Sequence, residues 1–126
     1  MIEYGSLEVA EAAGLAYQRL HRWCAAGAVR PSIANADGTG SRRRWSNLDR
    51  DALTDIAVVA EDLAALEIDM STELVTRLWD MCHAEPDADH LELLAGSITV
   101  TVDRRDRRAI QQRRSDNLVR RGLEEE

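Results

Sequence analysis

SLEVAEAAGL (6–15), AYQRLHRWCAAGAVRPS (16–32) and IANADGTGSRRRWS (33–46) follow one another without a break, and the way they are read decides the fold. In the first piece Val9, Ala10 and Ala13 form an apolar stripe at helical spacing while Glu8 and Glu11 point away. This predicts a short amphipathic helix, capped by Ser6 and ended by Gly14. Leu15 leads into a second helix, where Leu20, Trp23 and Cys24 fall at i, i+3 and i+4 and are expected to pack on the first. Gln18, His21 and Arg22 are left outward, with Tyr17 and Arg19 at the flanks. Ala25-Ala26-Gly27-Ala28 closes this helix, and Pro31 bars any continuation. In the third piece Asn35, Asp37, Gly38 and Gly40 supply the turn chemistry of a hairpin whose returning arm carries Arg42, Arg43 and Arg44 ahead of Trp45.

Two short helices with a tight corner, followed by a charged hairpin, form the pattern of a helix-turn-helix with a wing. The whole chain carries −7, yet Tyr17 to Ser46 holds six arginines against Asp37 alone, a local net charge of +5. Arginine meets phosphate through a planar fork, and each such contact releases counterions. A run of like charge on a hairpin is unfavourable without an anion beside it, and for Arg42 to Arg44 the anion implied is DNA.

VAEAAGL (9–15), LHRWCAAGAVRP (20–31) and GSRRRWS (40–46) resemble the MerR-type winged helix-turn-helix family and its smaller BldC-like and excisionase-like relatives. The resemblance covers roughly the first half of the chain. It implies that His21 and Arg22, just after the core Leu20, sit against DNA, with Tyr17, Gln18 and Arg19 at the start of the reading helix. It also implies that Arg43 and Arg44 are wing residues on phosphate or in the minor groove, and that Trp45 replaces a buried tyrosine. Trp23 stands where the family has a tyrosine, and the wing tip is longer than the commonest form.

With 126 residues the chain suits one domain, or one small domain with an appendage. It has no Phe, so the core is expected to be built from Leu, Val, Ile, Ala and three tryptophans. All 16 basic residues are arginine, which reads first as the codon bias of a GC-rich genome. No apolar run approaches the roughly 20 residues that span a membrane, and MIEYGSLEVA lacks the basic and hydrophobic regions of a signal peptide. Cys24 and Cys82 are isolated, the usage of a cytoplasmic protein with free thiols.

Beyond the hairpin, Ser46 and Asp49 have capping-box spacing and open a third helix with Leu53, Ile56, Ala60 and Leu63 on one side. Asp49, Asp51, Asp55, Glu61 and Asp62 read as its solvated face. A break is expected around Leu66 to Asp69. Ser71 then caps a fourth helix that runs to about His83, with Leu74, Val75, Leu78, Trp79 and Cys82 on one face. AEPDAD (84–89) reads as a loop. Leu91 to Asp103 alternates into a β-hairpin turning at Gly96-Ser97, with Ile98, Val100 and Val102 on one face. Such a hairpin is marginal alone, so it must pack on the head, join the wing sheet or pair with another subunit. Asp103 can cap a final arginine-rich helix, read either as a solvated tail, as an added DNA-contacting arm or as a surface for an acidic partner. Glu124 to Glu126 are expected to be disordered.

The predicted class is therefore mainly α with a small β part: a winged helix-turn-helix head over residues 1–84, and a β-hairpin plus C-terminal helix over 85–126 as an interaction or oligomerisation appendage. Catalysis finds no support, because DGTGS lacks the Lys-Ser/Thr of a phosphate loop and no nucleophile, base and acid share a recognisable spacing. Cys82, His83 and His90 could suggest a metal, but adjacent residues on a helix point in different directions, and no metal or cofactor is expected. The function implied is a sequence-specific double-stranded DNA-binding transcriptional regulator of bacterial or phage type. The candidate contacts are Tyr17, Gln18, Arg19, His21, Arg22, Arg42, Arg43 and Arg44. A homodimer or a cooperative array on DNA, and a protein partner at the C-terminal region, are the expected assemblies; no membrane association is expected. An excisionase-like DNA-bending factor and a packaging adaptor resembling a terminase small subunit are the alternatives.

Overall fold

The computed structural model describes residues 3–34, 43–105, 107 and 109–110. In chain order the elements are α1 (Ser6–Ala13), α2 (Tyr17–Ala25), α3 (Asn47–Ala65), α4 (Thr72–Ala84), β1 (His90–Ala95) and β2 (Ile98–Asp103). The described residues are mainly helical, and the one sheet among them is the antiparallel β1–β2 pair. Asn35, Asp37, Gly38, Gly40 and Arg42 of the expected wing tip lie outside the described residues, as does the expected final helix beyond Ile110 with Leu118, Val119 and Glu124 to Glu126.

Three helices end on the same backbone device. Gly14 and Gly27 adopt φ of +78° and +75°, and the following N–H groups return to carbonyls of the last turn, Leu15 to Ala10 at 2.8 Å and Ala28 to Trp23 at 2.9 Å. At the end of α3 the left-handed residue is Glu67, with φ +59°. The Glu67 N–H reaches the Ala64 carbonyl and the Ile68 N–H the Leu63 carbonyl, both at 2.9 Å. A side chain at this position is strained, because the left-handed region crowds Cβ against the next carbonyl. Glu67→Gly should therefore stabilise the protein by roughly 0.5–1 kcal/mol, seen as a rise of a few degrees in Tm.

α3 is the central element, packed against α1, α4 and β2. It opens with the expected capping box: the Ser46 hydroxyl accepts from the Asp49 N–H, and the Asp49 carboxylate accepts from the Ser46 N–H. Leu53, Ile56 and Ala60 are buried as their period requires, and Leu63 is partly so. The expected face of α4 is buried in full, from Leu74 to Cys82. Trp45 is completely enclosed, its ring edge-on to Trp79 at 6.1 Å. Of the three placements open to the β-hairpin, the structure takes the first: β1 lies on α4 and β2 on α3. The pairs Leu91 with Val102 and Leu93 with Val100 feed the same apolar cluster as the helices. Ile98, expected with them, is 46% exposed beside the Gly96-Ser97 turn.

Four local expectations are corrected. Ser6 does not cap α1. Gly5 occupies that position, and the Ser6 hydroxyl instead accepts from the Trp45 indole N–H at 3.0 Å. Cys24 is only half-buried on α2. The acidic side of α3 is not all solvated, for Asp49 and Asp55 are 0% and 2% exposed, whereas Glu61 and Asp62 do face water. Nor is the start of the arginine-rich segment a solvated tail. Arg104, 1% exposed, donates from Nε to Asp55 Oδ2 at 3.1 Å, and Arg107 reaches the same oxygen at 2.9 Å. Arg104 also donates to the carbonyls of Cys82, Glu85 and Ala88, closing the end of α4 with a cation where the helix dipole is negative. A buried carboxylate needs opposite charge and donors, and these arginines are what allow Asp55 inside.

Candidate nucleic-acid interface

α2 is nine residues long, with Leu20 and Trp23 turned into the core. Tyr17, Gln18, His21 and Arg22 are exposed on its other side. The rings of Tyr17 and His21, one turn apart, stack at 6.2 Å with 24° between planes. The Arg19 guanidinium lies 5.2 Å from the centre of the Trp23 ring, a cation–π placement that holds it against the helix flank. An open groove of about 470 Å³ runs from Arg19, Arg22 and Trp23 to Asp69, Met70 and Thr72, where α4 begins.

The arm that returns from the 35–42 segment is anchored at its base. Ala34 and Arg44 exchange backbone hydrogen bonds at 2.7 and 3.2 Å, and Trp45 exchanges two of 2.9 Å with Tyr4. The chain's N-terminal residues thus form the neighbouring rung, a pairing that no local pattern announced. Arg43 and Arg44 are both half-buried. Arg43 bears on the Cys24 thiol, whose pKa burial pushes up and the guanidinium charge pulls back. Its Nε is buried without a hydrogen-bond partner among the described residues. Tyr17, Gln18, Arg19, His21 and Arg22 are thus brought onto one helix, with Arg43 close to its far end. Arg42 lies outside the described residues.

Behind this surface sits a cluster that sequence reasoning resolved only in part. Asp49 accepts four hydrogen bonds, two on each oxygen. Oδ2 takes the N–H groups of Ser32 at 2.8 Å and Ser46 at 3.0 Å, while Oδ1 takes the Ser32 hydroxyl and His83 Nε2, the latter at 2.7 Å. Burial pushes this carboxyl upward, but the hydrogen bonds outweigh it and hold it below the ordinary carboxylate range. Only the Ser46 half was visible as a motif. The other contacts come from 17 and 34 residues away in sequence.

Two of the side chains weighed as metal ligands, Cys82 and His83, are engaged elsewhere. The Cys82 thiol faces Asp55 at 3.7 Å, and burial, with the Asp55 charge second, pushes its pKa up to about 11. His83 spans Asp49 and the Trp79 carbonyl. Among the described residues no helix is long and apolar enough to cross a membrane. No family model and no curated protein matches the chain.

Proposed function

We propose that the chain reads double-stranded DNA as a MerR-type winged helix-turn-helix protein, and serves as a small cytoplasmic transcriptional regulator of bacterial or phage type. The observation that carries this reading is a contrast among the arginines. Arg50, Arg104, Arg105 and Arg107 are paired with carboxylates of the chain. Arg19, Arg22, Arg43 and Arg44 make no ion pair with a described residue, although the protein is acidic and carboxylates are plentiful; outside this surface the same holds of Arg30 and Arg77. Cationic groups without a carboxylate partner on an anionic molecule suit a polyanion that must be gripped without trapping the rest of the surface.

A helix such as α2 is about 10–12 Å across with its side chains, which suits a major groove about 12 Å wide. Gln18, His21 and Arg22 face base edges or adjacent phosphates, Gln18 being suited to adenine and Arg22 to guanine. Tyr17 and Arg19 flank them, and Arg43 and Arg44 hold the adjacent backbone. Residues 1–84 supply this head in the proposal, and residues 85–126 the surface for a second copy, a neighbour on DNA or a protein partner.

Arg22→Ala and Arg43→Ala should each weaken binding and flatten the slope of log affinity against log salt by about one unit. A fluorescence anisotropy titration of a selected duplex over a salt series measures both quantities. Unchanged slopes for both variants would overturn the proposal.

A further inference from the structure

The Asp49 cluster joins three parts of the molecule. Ser32 lies where the chain leaves the α2 corner, Ser46 where it enters α3, and between them runs the segment that carries Arg43 and Arg44. Both ends of that segment hang from one enclosed carboxylate, and the carboxylate in turn is held by His83 of α4. The second ring nitrogen, Nδ1, is 2.8 Å from the Trp79 carbonyl oxygen. Both nitrogens therefore face oxygens that only accept. A neutral imidazole carries one N–H, so it would satisfy one of these oxygens and turn a lone pair on the other; the imidazolium donates to both.

We propose that His83 is a positioning residue for the two anchor points Ser32 and Ser46: its imidazolium ties Asp49 to the Trp79 carbonyl, and loss of one proton leaves one of those oxygens facing a lone pair, which loosens the anchors and weakens the hold on DNA. The DNA part of this inference rests on the function proposed above. Burial disfavours the charged ring, but the hydrogen bonds to Asp49 and Trp79, with the charges of Asp49 and Asp80, raise its pKa above 6.5. Those two carboxylates, from α3 and from its own helix, are the charged groups bearing on it; Ser32 and Ser46, the other partners of Asp49, are uncharged. The sign follows. A raised histidine pKa contributes stability that is complete below 6.5 and fades as pH rises through the folded value, while a lowered aspartate contributes above 3.8 and fades in acid. The clamp is complete between these limits and opens on the alkaline side.

The test uses the full chain. NMR follows the His83 ring and the Ser32 and Ser46 amides of the free protein through a pH titration. Duplex affinity is then measured at constant ionic strength from about pH 6 to about pH 9. The affinity arm compares the native chain with His83→Gln at each pH, so that whatever His21 contributes on the proposed DNA face is common to both. The expected result is that both amides shift in step with the ring and that affinity falls about tenfold, the equivalent of one charge-assisted hydrogen bond. His83→Gln, which can still donate to Asp49 but cannot be charged, should remove this fall. A ring that titrates at or below the ordinary histidine value, or amides that ignore it, would overturn the clamp whatever the DNA result. Amides that follow the ring in a protein that binds no duplex would support the clamp and overturn the DNA reading.

Discussion

Arg104→Met is expected to destabilise the protein by about 3–5 kcal/mol, a large part of the total stability of a domain this size. The substitution keeps much of the side chain's volume, so the loss comes from unmet polar groups and not from a void. Asp55, 2% exposed, would keep Arg107 as its remaining guanidinium partner among the described residues. The carbonyls of Cys82, Glu85 and Ala88 would lose a donor in a place that water cannot easily reach. Burial already pushes the Asp55 carboxyl above its ordinary value against the pull of Arg107 and Arg104, so losing one of them moves it further up. Urea unfolding of Arg104→Met, Asp55→Leu and the pair together separates the contributions. The double variant should recover a good part of the loss, because removing both members of a buried ion pair is far less damaging than removing one. A single Arg104→Met variant with an unchanged midpoint would show that the cluster carries no net weight.

Trp45→Ala should cost a similar amount, about 3–5 kcal/mol, by a different route. Trp45 is wholly buried, and it is where the N-terminal residues, the returning arm and α4 meet: its backbone pairs with Tyr4, its indole N–H donates to Ser6 and its ring edge meets Trp79. Truncation leaves a cavity where these three parts of the chain meet, and they cannot collapse together without breaking the Tyr4 rung. Trp45→Phe retains most of the ring and loses the indole hydrogen bond to Ser6, so it should cost about 1 kcal/mol. Denaturant midpoints for the two variants check the ordering, and equal losses would mean that the hydrogen bond, not the packing, dominates. If the proposed function holds, Trp45→Phe should leave duplex affinity nearly intact, since the backbone pairing that orients Arg44 does not depend on the indole nitrogen.

Periodicity was a good guide wherever a residue's fate depends on its own helix. The buried faces of α1 and α4, the glycine ends of α1 and α2, the Ser46–Asp49 box and the turn at Gly96 all follow from contacts within a few residues. The exposed face of α2 follows by subtraction, because once Leu20 and Trp23 are committed inward, Gln18, His21 and Arg22 have nowhere else to point. Charge misled in the opposite direction. A carboxylate on a helix is assigned to water by default, yet Asp49 and Asp55 occupy the interior because Ser32, His83, Arg104 and Arg107 converge on them from distant positions. A helical wheel holds no information about such partners.

What the amino-acid order determined alone is the described elements, most of their ends and the apolar stripe each one buries, since these are decided by interactions spanning at most a turn or two. Tertiary structure alone decided which charges go inside, that Tyr4 completes a rung beside Trp45, and that the β-hairpin rests on α3 and α4. Burying a charge or closing a strand pair requires groups far apart in sequence to arrive together, and only the assembled chain brings them within reach.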